Sequence, residues 1–389
     1  MKKIIIVNNN MNVGGVQKAL INLLNEIADK YEITLLLFSP TGEYMNSIPA
    51  SVKVISCNSL FRCLGLSQTE CKHSPFLFII RAFLVIVTKL FGRKSAMKII
   101  LCSQRKLVGY YDCAISYLQN GANKSFYGGC NEFVLKKISA ERKTAFLHCD
   151  YRNCGADYNY NNELYREFDI IAACSEGCRQ AFLECIPDLR DKTVTVPNCH
   201  NYEEIRQLAD LNPIEYDNNI INIVSVARLS VEKGIDRGIR AISKVISLGY
   251  KVHYHVVGDG VLRVFLQELV IELGLQNVVT FYGNTYNPYR YMKNADLLLI
   301  PSYHEAAPLV IDEAFCLGVP VVSTETTSSK DMILDRDIGF VSKNTQEDLQ
   351  VKLVEVVKKT QFLRDCKNKI KNKDCSNLDA VKGFMKLLE

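Results

Sequence analysis

Short apolar runs of strand length alternate with longer stretches in which apolar residues recur every three or four positions. The runs Lys2–Val7, Ile33–Phe38, Val52–Ile55, Asp112–Leu118, Lys143–Leu147, Asp169–Cys174 and Thr193–Val196 read as buried strands. A second series follows at Ile220–Val226, Val252–Val257, Val278–Phe281, Leu297–Ile300 and Val319–Ser323. Between them, Val16–Lys30 places Leu20, Leu23, Leu24 and Ile27 at helical spacing, and Ile235–Leu248, Val261–Leu273, Gln346–Lys359 and Leu378–Leu388 are expected as further helices. Residues 199–219, with Asn212-Pro213 and Asp217-Asn218-Asn219, read as a linker. Two series of alternating strands and helices predict an α/β protein with two doubly wound domains facing a cleft, residues 1–200 and 214–375, and a closing helix within 376–389.

The richest stretch is Leu297–Thr324. A strand ends at Pro301-Ser302, a polar loop spans Tyr303–Ala307, and a helix is expected from Pro308 to Leu317, because proline suits a first helical position. Gly318 then suits a left-handed cap. A helix opening at the carboxyl end of a parallel strand favours an anion there, through its unpaired N–H groups and its dipole. Glu305 lies in the loop and Glu313 in the helix, with seven residues between them, and Ala306 and Ala307 are small enough to admit a ligand close to the backbone. Taken singly, Glu305 is accounted for by the helix dipole and Glu313 by solvent.

Three other loops carry candidate chemistry. After Ile220–Val226 come Arg228 and Lys233, five apart and just ahead of a helix, able to converge on a diphosphate or to be two surface cations. Gly14-Gly15 follows the first strand, where glycine permits close approach of phosphate but also serves any turn. His148 ends the strand Lys143–Leu147, a place that suits either a structural or a site histidine, and Asp150 stands near enough to orient it.

Glu305 and Glu313 together resemble the Glu-x7-Glu signature of retaining glycosyltransferases of family 4, which have the GT-B fold of two Rossmann-like domains. The resemblance extends over nearly the whole chain, most closely from Asn222 to Val341 and most loosely from Cys57 to Lys106. It implies that Glu305, with the backbone of Ala306 and Ala307, contacts a donor sugar, and that Glu313 holds the nucleotide ribose. It further implies that Arg228, Lys233 and the backbone of Leu309 and Val310 receive the diphosphate, and that Gly14 and Gly15 face the donor phosphates. Gly283 lies beside the base and His148 near the reacting sugar in the same reading, and the last helix crosses back to the first domain. The family usually has glycine where this chain has Ala306. The implied activity is transfer of a hexose or N-acetylhexosamine from a nucleotide diphosphate sugar, with a UDP-sugar favoured over GDP-mannose. The acceptor would be a lipid-linked oligosaccharide of a bacterial cell-surface polysaccharide such as a capsule or O-antigen. Neither a carboxylate nucleophile, nor a cofactor, nor a metal is expected. A nucleotide-sugar epimerase or phosphorylase of the same fold, and a non-catalytic nucleotide-sugar-binding partner at the membrane, are the alternatives.

Composition narrows the setting. The 389 residues are 48% hydrophobic and 23% charged, as in an ordinary globular protein, and a net charge of +5 is too weak to argue for nucleic acid. There are 15 cysteines, and Met1-Lys2-Lys3 runs straight into a strand, so reduced thiols in a cytoplasmic protein are expected. The pairs Cys149/Cys154 and Cys174/Cys178 lack the spacing of zinc ribbons. Asp335-Arg336-Asp337 matches a metal-holding Asp-x-Asp pattern but reads as a turn. The most apolar window, Phe76–Phe91, is shorter than a spanning helix and interrupted by Arg81 and Lys89. With Gly92-Arg93-Lys94 it is expected to be a peripheral contact with the inner face of the membrane, a packed helix being the other reading.

Overall fold

The computed structural model describes residues 1–66, 68–72, 74–371 and 373–389. The chain divides into two compact units, Met1–Cys199 with Asn377–Glu389, and His200–Ser376.

The first unit is built on seven strands, β1 (Lys3–Asn8), β2 (Glu32–Leu37), β3 (Lys53–Ser56), β4 (Tyr111–Ser116), β5 (Ala140–Leu147), β6 (Ile170–Ala173) and β7 (Thr193–Thr195). They pair in parallel in the order β3-β2-β1-β4-β5-β6-β7. The order reverses direction between β1 and β4, so the loops leaving these strands diverge and open a crevice at the sheet's carboxyl edge. Ile4, Ile6, Leu20, Leu24 and Ile27 pack together because β1 turns alternate residues onto the apolar stripe of the Gly15–Ile27 helix. The closing helix Leu378–Lys386 joins this core through Ala380 and Phe384, the latter 6.5 Å from the Tyr31 ring, and Asn377 donates to Glu26 at 2.6 Å.

The second unit contains β8 (Ile221–Val226), β9 (Val252–Val257), β10 (Val279–Gly283), β11 (Leu297–Ile300), β12 (Val321–Thr324) and β13 (Gly339–Ser342). These are parallel too, in the order β10-β9-β8-β11-β12-β13, and the reversal falls between β8 and β11. The expected strand Val319–Ser323 begins two residues later than read, at Val321: Pro320 has no N–H to give to the ladder, though its carbonyl accepts from Leu298 N at 2.8 Å.

One other expectation changes. The stretch 199–219, read as a linker, contains the helix Tyr202–Asp210. Asn201 caps it by accepting from Glu204 N at 3.1 Å, and Ile205 and Ala209, one turn apart, are buried in the core of the second unit. The apolar window forms a helix, Pro75–Phe91, in which only Leu84 and Thr88 are buried. No helix among the described residues is long and apolar enough to cross a membrane.

Candidate active site

The second unit's site starts from the loop after β8. Val226 leads into Ala227–Ser230, a single 3₁₀ turn at Val231–Lys233, and Gly234 in the left-handed region at φ 58°. A Cβ on Gly234 would stand 2.2 Å from the carbonyl oxygen of Pro301, at the end of the neighbouring β11. Glycine here lets the two loops that flank the switch point lie backbone against backbone. Tyr303 N donates to the Glu232 carbonyl at 2.9 Å and completes the seam.

That seam brings Lys233 and Glu305 together. Lys233 Nζ lies 2.7 Å from Glu305 Oε1, and Ser302 Oγ donates to the same oxygen at 2.7 Å. The lysine side chain is 24% exposed and the glutamate 10%, so the pair is shielded on one side and open on the other. Arg228 takes a different course: its side chain is 72% exposed and its guanidinium lies 3.0 Å from Glu232 Oε1, an oxygen that also accepts from Ser230 Oγ at 2.6 Å. Arg228 and Lys233 thus pair with different carboxylates in this arrangement. Each cation has its own carboxylate, because the intervening turn points Lys233 toward β11 and leaves Arg228 in solvent.

Ala306 and Ala307 follow, both half-buried, and the Ser328 hydroxyl donates to the Ala306 carbonyl. Among the described residues, positive φ outside glycine occurs only at Asn212 and Asp337, so alanine at 306 carries no backbone strain. The helix runs Leu309–Cys316, one residue shorter at each end than expected. Pro308 is its N-cap in extended conformation (φ −69°, ψ 120°), and no side chain caps the first turn. Leu309 and Val310 thus form that first turn at the carboxyl edge of β11, half-buried. Gly318 ends the helix region at φ 72°.

Glu313 is not a solvated helix residue: it is 6% exposed and accepts from the Tyr289 hydroxyl at 3.1 Å. Its neighbour Asp312 lies 2.6 Å from Arg336 and 3.1 Å from His200. Burial works to raise the Asp312 pKa, but His200 and Arg336 outweigh it and hold the carboxyl down at about 2. Asp335–Asp337 forms a turn in which Arg336 serves this pair and Asp337 meets Lys369. Gly283 ends β10 at φ 77°, its carbonyl accepting from Gly258 N at 2.8 Å, with Arg263 beside it. None of Ser302, Tyr289, Ser328 or the His200–Asp312–Arg336 chain was legible beforehand, since each acts from another part of the sequence.

In the first unit, Gly14 is extended (φ −179°) and caps the Gly15–Ile27 helix after β1, and no neighbour lies within 4 Å of where a Cβ on Gly15 would stand. His148 follows β5 with its ring 4.6 Å from Tyr117 and 5.6 Å from Phe146. Its Nε2 is buried with no hydrogen-bond partner among the described residues, and burial pulls the imidazole pKa down to about 3. The nearby Asp150 carboxylate accepts from Asn153 N at 3.2 Å and Asn153 Nδ2 at 2.7 Å. No disulfide joins the cysteines among the described residues, and the Cys174 and Cys178 sulfurs lie 3.8 Å apart. No group of three or more His, Cys, Asp or Glu among the described residues could hold a metal ion.

Residues 212–373 match the family model described as glycosyl transferases group 1. An uncharacterized glycosyltransferase of Methanocaldococcus jannaschii is 29% identical over 46% of this chain, and the match spans about half (45%) of that relative's length. A Campylobacter jejuni enzyme, N-acetylgalactosamine-N,N'-diacetylbacillosaminyl-diphospho-undecaprenol 4-alpha-N-acetylgalactosaminyltransferase, is 23% identical over 98% of this chain and 97% of its own. Among solved structures, Anabaena HepE in complex with UDP and glucose covers 100% of this chain and 99% of its own with a TM-score of 0.68, at 17% identity, a likeness of fold. With two parallel sheets of the doubly wound kind the chain has the GT-B fold, and most of its second unit is similar to the glycosyl transferases group 1 family.

Proposed function

We propose that this glycosyltransferase moves a hexose or N-acetylhexosamine from a UDP-sugar to a hydroxyl of a lipid-linked oligosaccharide, with retention at the anomeric carbon and without a metal. The observation that carries the reading is the Lys233–Glu305 pair, 2.7 Å apart at the switch point between β8 and β11. It stands one residue from two alanines and one helix turn from an uncapped helix start. An open crevice holding a cation, small residues and free helix N–H groups suits a diphosphate with a sugar attached.

Each residue then has a task. Lys233 and Arg228 meet the diphosphate, whose negative charge grows as the bond from the anomeric carbon to phosphate oxygen breaks. The N–H groups of Leu309 and Val310 assist. Glu305, paired with Lys233 and Ser302, accepts from a sugar hydroxyl, with the Ala306–Ala307 backbone alongside. Glu313, held by Tyr289, accepts from the ribose, and Gly283 leaves room beside the base. In the first unit, Gly14 and Gly15 serve the donor phosphates and His148 presents a neutral imidazole to the reacting sugar. The acceptor oxygen bonds to the anomeric carbon on the face the diphosphate leaves, and its proton passes to the departing phosphate oxygen.

UDP is favoured because the Anabaena neighbour is named in complex with UDP. The lipid-linked acceptor is favoured because the full-length Campylobacter relative is named for a diphospho-undecaprenol substrate. That acceptor would place the protein at the cytoplasmic face of a membrane. Thermal shift against UDP-, GDP- and ADP-sugars, beside Arg228→Ala and Glu313→Ala, is the test. A ligand bound only by the folded state raises the melting temperature. Stabilisation by UDP-sugars that both variants lose is expected; no stabilisation by any nucleotide sugar would sink the reading.

A further inference from the structure

The helix Pro75–Phe91 leaves an apolar stripe uncovered. Phe76, Ile79, Phe83, Ile86 and Leu90 are 68%, 67%, 55%, 55% and 69% exposed. Their spacing of three, four, three and four places all five within an arc of about 80° at 100° per residue. The buried Leu84 and Thr88 fall on the opposite side. The helix therefore packs by its narrower face and shows its wider apolar face to the surroundings. Phe91, 71% exposed, extends the stripe at its end.

Charge around the stripe has one sign. From Cys71 to Tyr111 the chain contains no Asp or Glu but eight Lys and Arg residues. Arg93 is buried against Glu132 at 2.9 Å, and Arg81 is half-buried with its guanidinium on the Cys63 carbonyl. The other six, Lys72, Lys89, Lys94, Lys98, Arg105 and Lys106, are exposed. Lys89 borders the stripe on the helix itself, and Lys94 and Lys98 share one face of the next helix, Arg93–Cys102, which packs against the first.

We propose that this stripe lies in the surface of an anionic lipid bilayer, with Phe76, Ile79, Phe83, Ile86 and Leu90 among the acyl chains and the exposed lysines at the headgroups. At 17 residues the helix is about 25 Å long, short of the ~30 Å hydrocarbon core, so it lies along the surface rather than across it. A second copy of the chain is a poor occupant: a two-fold contact sets a patch against itself, and here it would bring exposed cations against cations. An anionic membrane supplies both the apolar layer and the opposite charge. The membrane setting deepens the lipid-linked acceptor reading, but vesicle binding is measured without donor or acceptor, so the two stand or fall separately.

The experiment is flotation of the full chain with vesicles of phosphatidylcholine alone and of phosphatidylcholine with phosphatidylglycerol. The wild type, the Ile79→Ser/Phe83→Ser/Ile86→Ser variant and the Lys89→Gln/Lys98→Gln variant are compared, each checked for an unchanged UDP-sugar thermal shift. The wild type is expected to float with anionic vesicles and not with neutral ones. The apolar variant should stay behind, and the lysine variant should bind about fivefold more weakly for each lysine removed. Flotation of the apolar variant as well as the wild type would overturn the proposal. So would a wild type that ignores anionic vesicles, or one that is dimeric in solution where the apolar variant is monomeric. Intact vesicle binding with no UDP-sugar shift would instead count against the transferase reading alone.

Discussion

Lys233 Nζ sits 2.7 Å from Glu305 Oε1 across a gap of 72 residues in sequence, and the two loops that carry them flank the point where the strand order reverses. The pair joins the cation expected to meet the diphosphate to the carboxylate expected to meet the sugar. Both can act only if β8 and β11 remain neighbours, so the pair also reports on the integrity of the site.

Lys233→Met should lower kcat/KM by about a hundredfold or more, a loss of roughly 3 kcal/mol at the developing diphosphate charge. Glu305→Gln should do less to nucleotide binding than to turnover. A double-mutant cycle on donor affinity should give a coupling of about 1–2 kcal/mol between them. Additive losses would mean that the contact does not operate when the donor is bound.

Glu313→Ala should weaken UDP binding by about ten- to a hundredfold, since a hydrogen bond to a charged group contributes roughly 1.5–3 kcal/mol. Tyr289→Phe, which removes the 3.1 Å donor but keeps the carboxylate, should cost less than half of that in free energy. Isothermal titration with UDP separates the two, and equal losses would indicate that Tyr289 touches the ligand itself.

Gly234→Ala should fail on two counts. Its φ of 58° disfavours a side chain, and the added Cβ would stand 2.2 Å from the Pro301 carbonyl oxygen. A lower melting temperature with loss of the UDP-sugar shift is expected. A variant as stable and as responsive as the wild type would show that the two loops can part without consequence.

Histidine burial predicts the acid side of the stability profile. His148 and His255 are both held near a pKa of about 3 by burial, with His253 adding repulsion at His255, whereas the unfolded value is about 6.5. A folded pKa below the unfolded one contributes stability that is present above the unfolded value and is lost as pH falls from there toward the folded value. His255, bonded to Asn222 Oδ1 at 3.1 Å and Tyr282 OH at 3.0 Å, should therefore lose about 2 kcal/mol between pH 7 and 5. Urea midpoints at the two pH values test this, and His255→Gln should flatten the slope. By the same reasoning kcat should show no inflection near pH 6.5 from His148; one that vanished in His148→Gln would contradict a neutral imidazole.

Much of the scaffold could be read from local pattern. A buried parallel strand must be a short apolar run, and a helix covering it must repeat every three or four residues, so the order of elements is written into neighbouring residues. The Tyr202–Asp210 helix escaped because turn-forming Asn, Pro and Asp nearby outweighed two buried positions, Ile205 and Ala209. The helix ends moved at Pro308 because proline suits an extended N-cap as well as a first turn, and only the backbone path out of β11 decides between them.

By itself, the sequence determined which residue types stand at the ends of β1, β5, β8, β10 and β11, since strand ends and loops are set by local composition. Only the tertiary structure decided their partners. Lys233 turned to Glu305 while Arg228 stayed with Glu232, Glu313 was buried under Tyr289, and Asp150 took Asn153 as a partner. Those outcomes depend on which strands are neighbours and on which face of each loop the packing closes. No periodicity in a single segment encodes contacts made 24 or 72 residues away. The exposed stripe of Pro75–Phe91 is the converse case: its apolar residues are plain in the sequence, and only the packed fold shows that the described residues leave them uncovered.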